Sequence, residues 1–61
     1  MRIGIVHEKS QNLYTVKDFD REIGSYRGIQ NFTGVDVNVG DTVIIGFNQG
    51  NINDAFIIGV K

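Results

Sequence analysis

The sequence contains no cysteine and no proline. Without cysteine, neither a disulfide nor a thiolate zinc site can staple the chain, and nothing marks an oxidising compartment. This matters because the chain has only 61 residues, and a domain of that size buries only roughly 60% of the surface that its unfolded chain exposes. We therefore expect a single domain over residues 1–61, with a marginal core that oligomerisation or docking into a larger assembly supplements.

Long apolar runs and a strong charge of either sign are also missing. No stretch approaches the roughly 20 apolar residues of a membrane helix. The short apolar start, residues 1–6, is followed at once by polar and charged residues, which is unlike a signal peptide. The formal net charge of -1 gives no overall attraction to nucleic acid or anionic lipid, although a local basic patch is compatible with it. We expect a soluble intracellular protein, or a component of a particle assembled in the cell, without a membrane partner.

The pattern of residues favours an all-β protein. Eight glycines lie among β-branched and aromatic residues and polar turns. Strands are predicted over residues 2–8, 13–19 and 25–32, followed by a closing hairpin of residues 42–47 and 55–60 around a polar loop, 48–54. The alternating valines of residues 35–39 predict a short strand or an extended connector. Five short antiparallel strands with glycine kinks predict a small antiparallel barrel, closed or half-open.

The closing hairpin indicates its own register. Pairing Phe47 with Phe56 collects the larger apolar side chains on one core face, which comprises Val43, Ile45, Phe47, Phe56, Ile58 and Val60. On the other face Ile44 then pairs with Gly59, and Gly46 pairs with Ile57, so that each isoleucine meets a glycine.

That second face is a candidate interface. Ile44, Ile57 and Val6 are expected opposite the core candidates, and a contiguous exposed apolar patch usually marks a contact with another molecule. The alternative is that loops and long side chains of the barrel cover these residues. We expect Ile44, Phe47 and Ile57 to supply buried apolar area at a subunit contact.

Residues with catalytic or metal-binding potential are few. His7 is the only histidine, and its neighbour Glu8 should point to the opposite face of the strand. Ser10 and Ser25 have no base at a persuasive spacing. The alternating acids of residues 18–22 include an arginine and match no calcium loop, so they indicate a solvated hairpin tip. We expect no enzyme activity, no catalytic residue, no metal, no cofactor and no small-molecule substrate.

Binding of single-stranded nucleic acid is the alternative function. The second and third strands carry aromatic and cationic residues that suit a stacking platform, namely Tyr14, Lys17, Phe19, Tyr26 and Arg27. The two tyrosines also occupy positions that a core would claim, and the nearby acids would repel phosphate. A continuous basic stripe, which is typical of nucleic-acid binders, is missing from the sequence.

Several segments carry a family resemblance. They are residues 4–6, residues 14–18, the glycine-aspartate turn and strand of residues 39–47, and residues 54–59 after a polar loop that contains Gly50. Together they resemble the oligonucleotide/oligosaccharide-binding (OB) barrel of contractile-tail spike and hub proteins, which include valine-glycine repeat spikes and phage baseplate proteins. The resemblance spans most of the chain and is specific in its last third. The connection between the third and fourth strands is shorter here than is usual in that family, which indicates a minimal version.

The resemblance implies a five-stranded OB-like barrel, with an SH3-like barrel as the alternative. It implies a structural role in a phage or prophage tail or baseplate, without catalytic residues. The partners it implies are further copies of the chain in a homotrimer, or other tail and baseplate proteins. The location it implies is the cytoplasm of a bacterial host, or a virion or tail-like particle assembled there.

Overall fold

Five β-strands form the regular secondary structure of the described chain. The computed structural model describes the backbone of residues 1–49 and 51–61, and the side chains of these residues except 51–53. The strands are β1 (Arg2–Ser10), β2 (Leu13–Asp18), β3 (Ser25–Asn31), β4 (Thr42–Asn48) and β5 (Asn51–Val60). The all-β prediction is confirmed, and residues 32–41 form a connector without strand structure. The loop expected over residues 48–54 is shorter than predicted because β5 begins at Asn51, and Gly50 lies outside the described residues.

The strands form a closed barrel in the order β1-β2-β3-β5-β4. Four neighbouring pairs are antiparallel, but β3 and β5 run parallel. The expectation of a purely antiparallel barrel is therefore wrong. The reason is topological: an odd number of strands cannot alternate in direction around a closed ring, so at least one neighbouring pair must be parallel. Because the barrel is closed, each of the five described strands pairs with a neighbour on both sides.

The core consists of inward-pointing side chains from all the strands and one from the connector. Strand alternation sends every second residue inward, and the buried hydrophobic residues are Val6, Tyr14, Val16, Tyr26, Ile29, Val37, Val43, Ile45 and Ile57. Val37 is the connector's contribution and is fully buried, whereas Val35 and Val39 are exposed. The connector thus supplies one apolar side chain to the core.

Strand β1 turns its isoleucines outward and its valine inward. Val6 is buried, while Ile3 and Ile5 are exposed, so the expectation that Val6 lies opposite the core is wrong. Gly4 faces inward between the isoleucines, where an added Cβ would collide with the carbonyl oxygen of Lys17 and lie 2.8 Å from Val16 Cγ1. Because β1 and β2 approach so closely here, this inward position has no room for a side chain.

A β-bulge in β5 changes the register of the closing hairpin. Val43 pairs with Val60 and Ile44 pairs with Gly59, as predicted. The next pair is Ile45 with Ile57, which leaves Ile58 as an extra residue on β5. Such a bulge places two residues opposite one and reverses the facing of everything beyond it.

Burial in the hairpin agrees with the prediction in β4 and departs from it in β5. Val43 and Ile45 are buried as expected, and Phe47 is half-buried and packs against the core. Ile58 is exposed, and the half-buried Phe56 pairs with Gly46 rather than Phe47. Val60 is exposed as well, although it pairs with the buried Val43. The predicted core face is therefore right in β4 and wrong in β5.

Candidate interaction surfaces

The outside of the barrel carries an apolar band across β1, β4 and β5. We define the outer apolar surface as Ile3, Ile5, Phe32, Ile44, Phe56 and Ile58. The exposed members range from 40% exposed for Ile3 to 62% for Phe32, and Ile44 and Phe56 are half-buried. These residues are grouped on one side of the barrel and are not scattered singly over its surface. A grouped exposed apolar patch usually marks a contact site.

Strand pairing and one ring contact bring members of this surface together. Ile3 pairs with Ile44 across β1 and β4. At the other end, the rings of Phe32 and Phe56 have centroids 5.2 Å apart, and the backbone N–H of Phe32 donates to the carbonyl of Ile57 at 2.9 Å. The surface therefore extends from β1 over β4 and β5 to the start of the connector.

Two glycines give this surface its shape. An added Cβ at Gly59 would lie 3.2 Å from Ile44 Cδ1. At Gly46 it would lie 3.0 Å from Ile58 Cγ2 and 3.3 Å from the ring of Phe56. The larger side chains thus lie flat over the glycines. The predicted meeting of Ile44 with Gly59 is confirmed, but Gly46 lies beneath Ile58 and Phe56 and not opposite Ile57.

The structure separates the three residues predicted at a subunit contact. Ile44 belongs to the outer apolar surface. Phe47 points inward, with its ring centroid 5.8 Å from that of Tyr26. Ile57 is fully buried in the core, so its expected position on an outer face is wrong. The bulge at Ile58 turns Ile57 inward. The sequence gives no signal for this bulge beyond the glycine that follows Ile58.

Sequence reasoning missed most of the outer apolar surface. Ile3 and Ile5 flank a glycine, and that alternation with Gly4 was the available signal that the isoleucines, and not Val6, point outward. Phe56 and Ile58 were expected in the core, and Phe32 was expected only as the end of a strand. Their outward position follows from the bulge and from the connector that begins at Phe32.

A second feature lies on the outside of β1, β2 and β3. The larger of two hollows there, of about 630 Å³, is open to solvent. Its lining residues include Ile5, His7, Lys17, Phe19, Arg21 and Ser25. A hollow of about 290 Å³ has His7, Lys17 and Ser25 among its lining residues as well, and adds Glu8, Thr15 and Arg27. We call the two together the basic groove. Lys17 lies at its centre, because Ile5, Lys17 and Ser25 are neighbours across the three strands.

The adjacent β1 residues His7 and Glu8 both line this groove. The register of β1 against β2 shifts between Val6 and Glu8, so His7 is an extra residue. As a result both His7 and Glu8 line the groove, and the expectation that they point to opposite faces is wrong. Ser25 lines the same groove, whereas Ser10 is exposed at the end of β1.

Asp18 lines the larger hollow, and several hydrogen-bond donors neutralise its carboxylate. Arg2 Nε donates to Asp18 Oδ2 at 3.0 Å and Arg2 Nη2 donates to Oδ1 at 3.1 Å. The Tyr26 hydroxyl donates to Oδ2 at 2.6 Å, and the backbone N–H of Asp20 donates to Oδ1 at 2.8 Å. Within the described residues, every buried side-chain nitrogen or oxygen has a hydrogen-bond partner.

These contacts shift two pKa values. The hydrogen bond from Arg2 is the largest influence and lowers the pKa of Asp18 to about 2, although burial opposes the shift. Burial raises the pKa of Tyr26 to about 12, and the hydrogen bond to Asp18 adds to the shift. Asp18 is therefore ionised at neutral pH, and the charge of Arg2 offsets its own.

The residues predicted for a nucleic-acid platform divide into two groups. Tyr14 and Tyr26 are buried in the core, so the expectation that they offer rings to a ligand is wrong. Their alternation along β2 and β3 is the core pattern. Lys17, Phe19 and Arg27 are exposed and all line the basic groove.

Across residues 1–49 and 51–61, no group of three or more histidine, cysteine, aspartate or glutamate residues is placed to hold a metal ion. In the same part of the chain, no helix has the length and apolar character needed to cross a membrane.

Fold and surfaces together define a small closed β-barrel with an apolar band on one side and a basic groove on another. Comparison with protein-family models, with curated proteins and with solved structures finds no match to this chain.

Proposed function

We propose that this protein is a non-enzymatic structural module that assembles with further copies of itself through the outer apolar surface. The observation that supports this proposal is the set of outward-facing isoleucine and phenylalanine side chains that neighbouring strands and the start of the connector place on one side of the barrel. Fully burying an exposed side chain of this kind contributes roughly 1.5–3 kcal/mol. The exposed members of this surface are 40–62% exposed, so each gains about half of that value. A few of them offset much of the weakness of a core built from a chain this short.

The closed barrel favours contact through a face. Because each described strand pairs on both sides, association by adding a strand would require the barrel to open. A standard interface takes about 800 Å² from each partner, which is roughly a fifth of the 4229 Å² of accessible surface that the chain has.

We also propose the OB type for the barrel and a contractile-tail or baseplate setting for the assembly. Support for the OB type comes from the five strands and from the insertion of β5 between β3 and β4, which is a Greek-key feature. The tail setting is supported by the sequence resemblance, in which β4 and β5 contribute most of the matching residues. A trimer is the oligomer that this setting favours.

Size-exclusion chromatography with light scattering tests the assembly. We expect an oligomer that dissociates on dilution, and we expect Ile3→Lys and Ile58→Lys each to weaken association by about tenfold or more, since each removes one buried apolar side chain. Val39→Lys is the matched control, because Val39 is exposed on the connector outside the outer apolar surface. Circular dichroism checks that each variant is folded.

A wild-type protein that stays monomeric at every accessible concentration would contradict the assembly proposal. The same conclusion follows if the Val39→Lys control dissociates the oligomer as strongly as the two surface variants, because the contact would then lie elsewhere.

A further inference from the structure

Cationic residues are concentrated in the basic groove. Three of the six lysine and arginine residues line it, namely Lys17, Arg21 and Arg27. Two of the seven acidic residues line it, Glu8 and Asp18, and Asp18 is paired with Arg2. The chain as a whole has a net charge of -1, so the charge is unevenly distributed and this side of the barrel is locally positive.

An exposed aromatic ring adjoins these cations. Phe19 is 58% exposed and lines the larger hollow together with Lys17 and Arg21. Ile5 contributes an apolar side chain to the same hollow. Cations beside an exposed ring suit a ligand that carries both negative charge and flat aromatic groups.

We propose that the basic groove binds single-stranded nucleic acid. Lys17, Arg21 and Arg27 contact successive phosphates, and a base stacks on Phe19. Bases in a duplex have their faces covered by their neighbours, so stacking on Phe19 requires a single strand. The cations of the site lie on β2, on β3 and in the turn between them, whereas the outer apolar surface is centred on β1, β4 and β5. Ile5 belongs to both, so variants that leave Ile5 unchanged distinguish the two sites.

The acidic residues of the β2–β3 turn do not oppose this assignment. Asp20 Oδ2 lies 3.5 Å from Arg2 Nη2, the nitrogen that also donates to Asp18. In the described part of the chain, neither Asp20 nor Glu22 is among the residues that line the groove. Asp20 is therefore paired with Arg2, and neither of these two acids contributes to the lining of the groove.

Fluorescence anisotropy with a labelled oligo-dT of roughly ten nucleotides, within the range that such barrels cover, tests the proposal. Each phosphate contact with a single strand contributes a slope of about -0.7 to the dependence of log affinity on log salt, so three cations give about -2. A fourfold increase in salt should then weaken binding about twentyfold.

Two variants separate the phosphate and base contacts. Lys17→Gln should reduce the salt slope by about 0.7 and weaken binding. Phe19→Ala should weaken binding by about 5- to 150-fold, the worth of one stacked base, and leave the slope unchanged. Lys61→Gln is the charge-matched control, because Lys61 follows β5 and does not line the groove.

Heparin and duplex DNA of the same length serve as competitors. Unlabelled oligo-dT should displace the labelled strand. Much weaker displacement by duplex DNA and by heparin would support the proposal. Lack of binding to oligo-dT at low salt would overturn the proposal. So would a result in which heparin binds as tightly as oligo-dT and Phe19→Ala leaves the affinity for oligo-dT unchanged. The Ile58→Lys variant changes a residue of β5 that does not line the groove, so its binding shows whether failure concerns the groove or the assembly.

Discussion

At the scale of single residues, Asp18 links the start of β1 to β3 and to the turn between β2 and β3. Its carboxylate accepts hydrogen bonds from Arg2, from the Tyr26 hydroxyl and from the backbone of Asp20. The side chain of Asp18 is only 1% exposed, while that of Arg2 is 36% exposed. A buried carboxylate with this many donors stabilises the fold only while it is ionised.

The pKa of Asp18 therefore predicts an acid-dependent loss of stability. Because folding lowers this pKa from 3.8 to about 2, its contribution is fully present above the unfolded value and is lost as pH falls through that interval. The linked free energy is roughly 2 kcal/mol. Urea denaturation of the wild type and of Asp18→Asn, from neutral pH to pH about 2, measures it. We expect the variant to be less stable at neutral pH and to have a shallower pH dependence; identical slopes in the two proteins would contradict this role.

At the scale of strands, alternation in the sequence predicted the elements but not the facing of every residue. The existence and order of the strands and the inward positions of Val16, Val43 and Ile45 follow from the period of two. The bounds do not all follow, since β5 begins at Asn51, inside the predicted loop. Alternation fails at His7 and Ile58, because a bulge inserts one residue and reverses the facing beyond it. No local residue pattern announces a bulge, since it depends on how two strands fit together after the barrel has closed.

The same limit applied to the candidate surfaces. Lys17, Phe19 and Arg27 were identified from residue type alone, because charged and aromatic side chains on an exposed face are visible in the sequence. The outer apolar surface was largely missed, because isoleucines of the core and of the outside are chemically identical. Only pairing of β1 with β4, and of β4 with β5, distinguishes Ile3 and Ile58 from Ile57.

The bulge predicts opposite sensitivity for two adjacent isoleucines. Ile57→Ala removes a fully buried side chain and should lower the free energy of unfolding by about 2–5 kcal/mol. Ile58→Ala removes a side chain that is 43% exposed and should cost less than about 1.5 kcal/mol in the isolated barrel. Chemical denaturation at low protein concentration makes the comparison. A larger cost at Ile58 would mean that the register predicted without a bulge is the correct one.

At the scale of the whole molecule, fold and assembly are expected to depend on each other. The chain places a substantial part of its large apolar side chains outside the core, and it has no disulfide to compensate, since it contains no cysteine. A partner that binds only the folded state stabilises it by mass action. Self-association through the outer apolar surface would therefore raise the stability of each barrel as the protein becomes more concentrated.

This coupling predicts a thermal midpoint that depends on protein concentration. A tenfold increase in concentration favours an association step by about 1.4 kcal/mol, and about 1 kcal/mol shifts the midpoint of a small domain by roughly 4–8 °C. We expect a rise of several degrees across dilution series of the wild type and of Val39→Lys, measured by circular dichroism or calorimetry. The double variant Ile3→Lys/Ile58→Lys should melt at one temperature throughout its series, because it cannot bury the band. A wild-type midpoint that is equally constant would mean that the barrel is stable alone and that the band across β1, β4 and β5 does not mediate self-association.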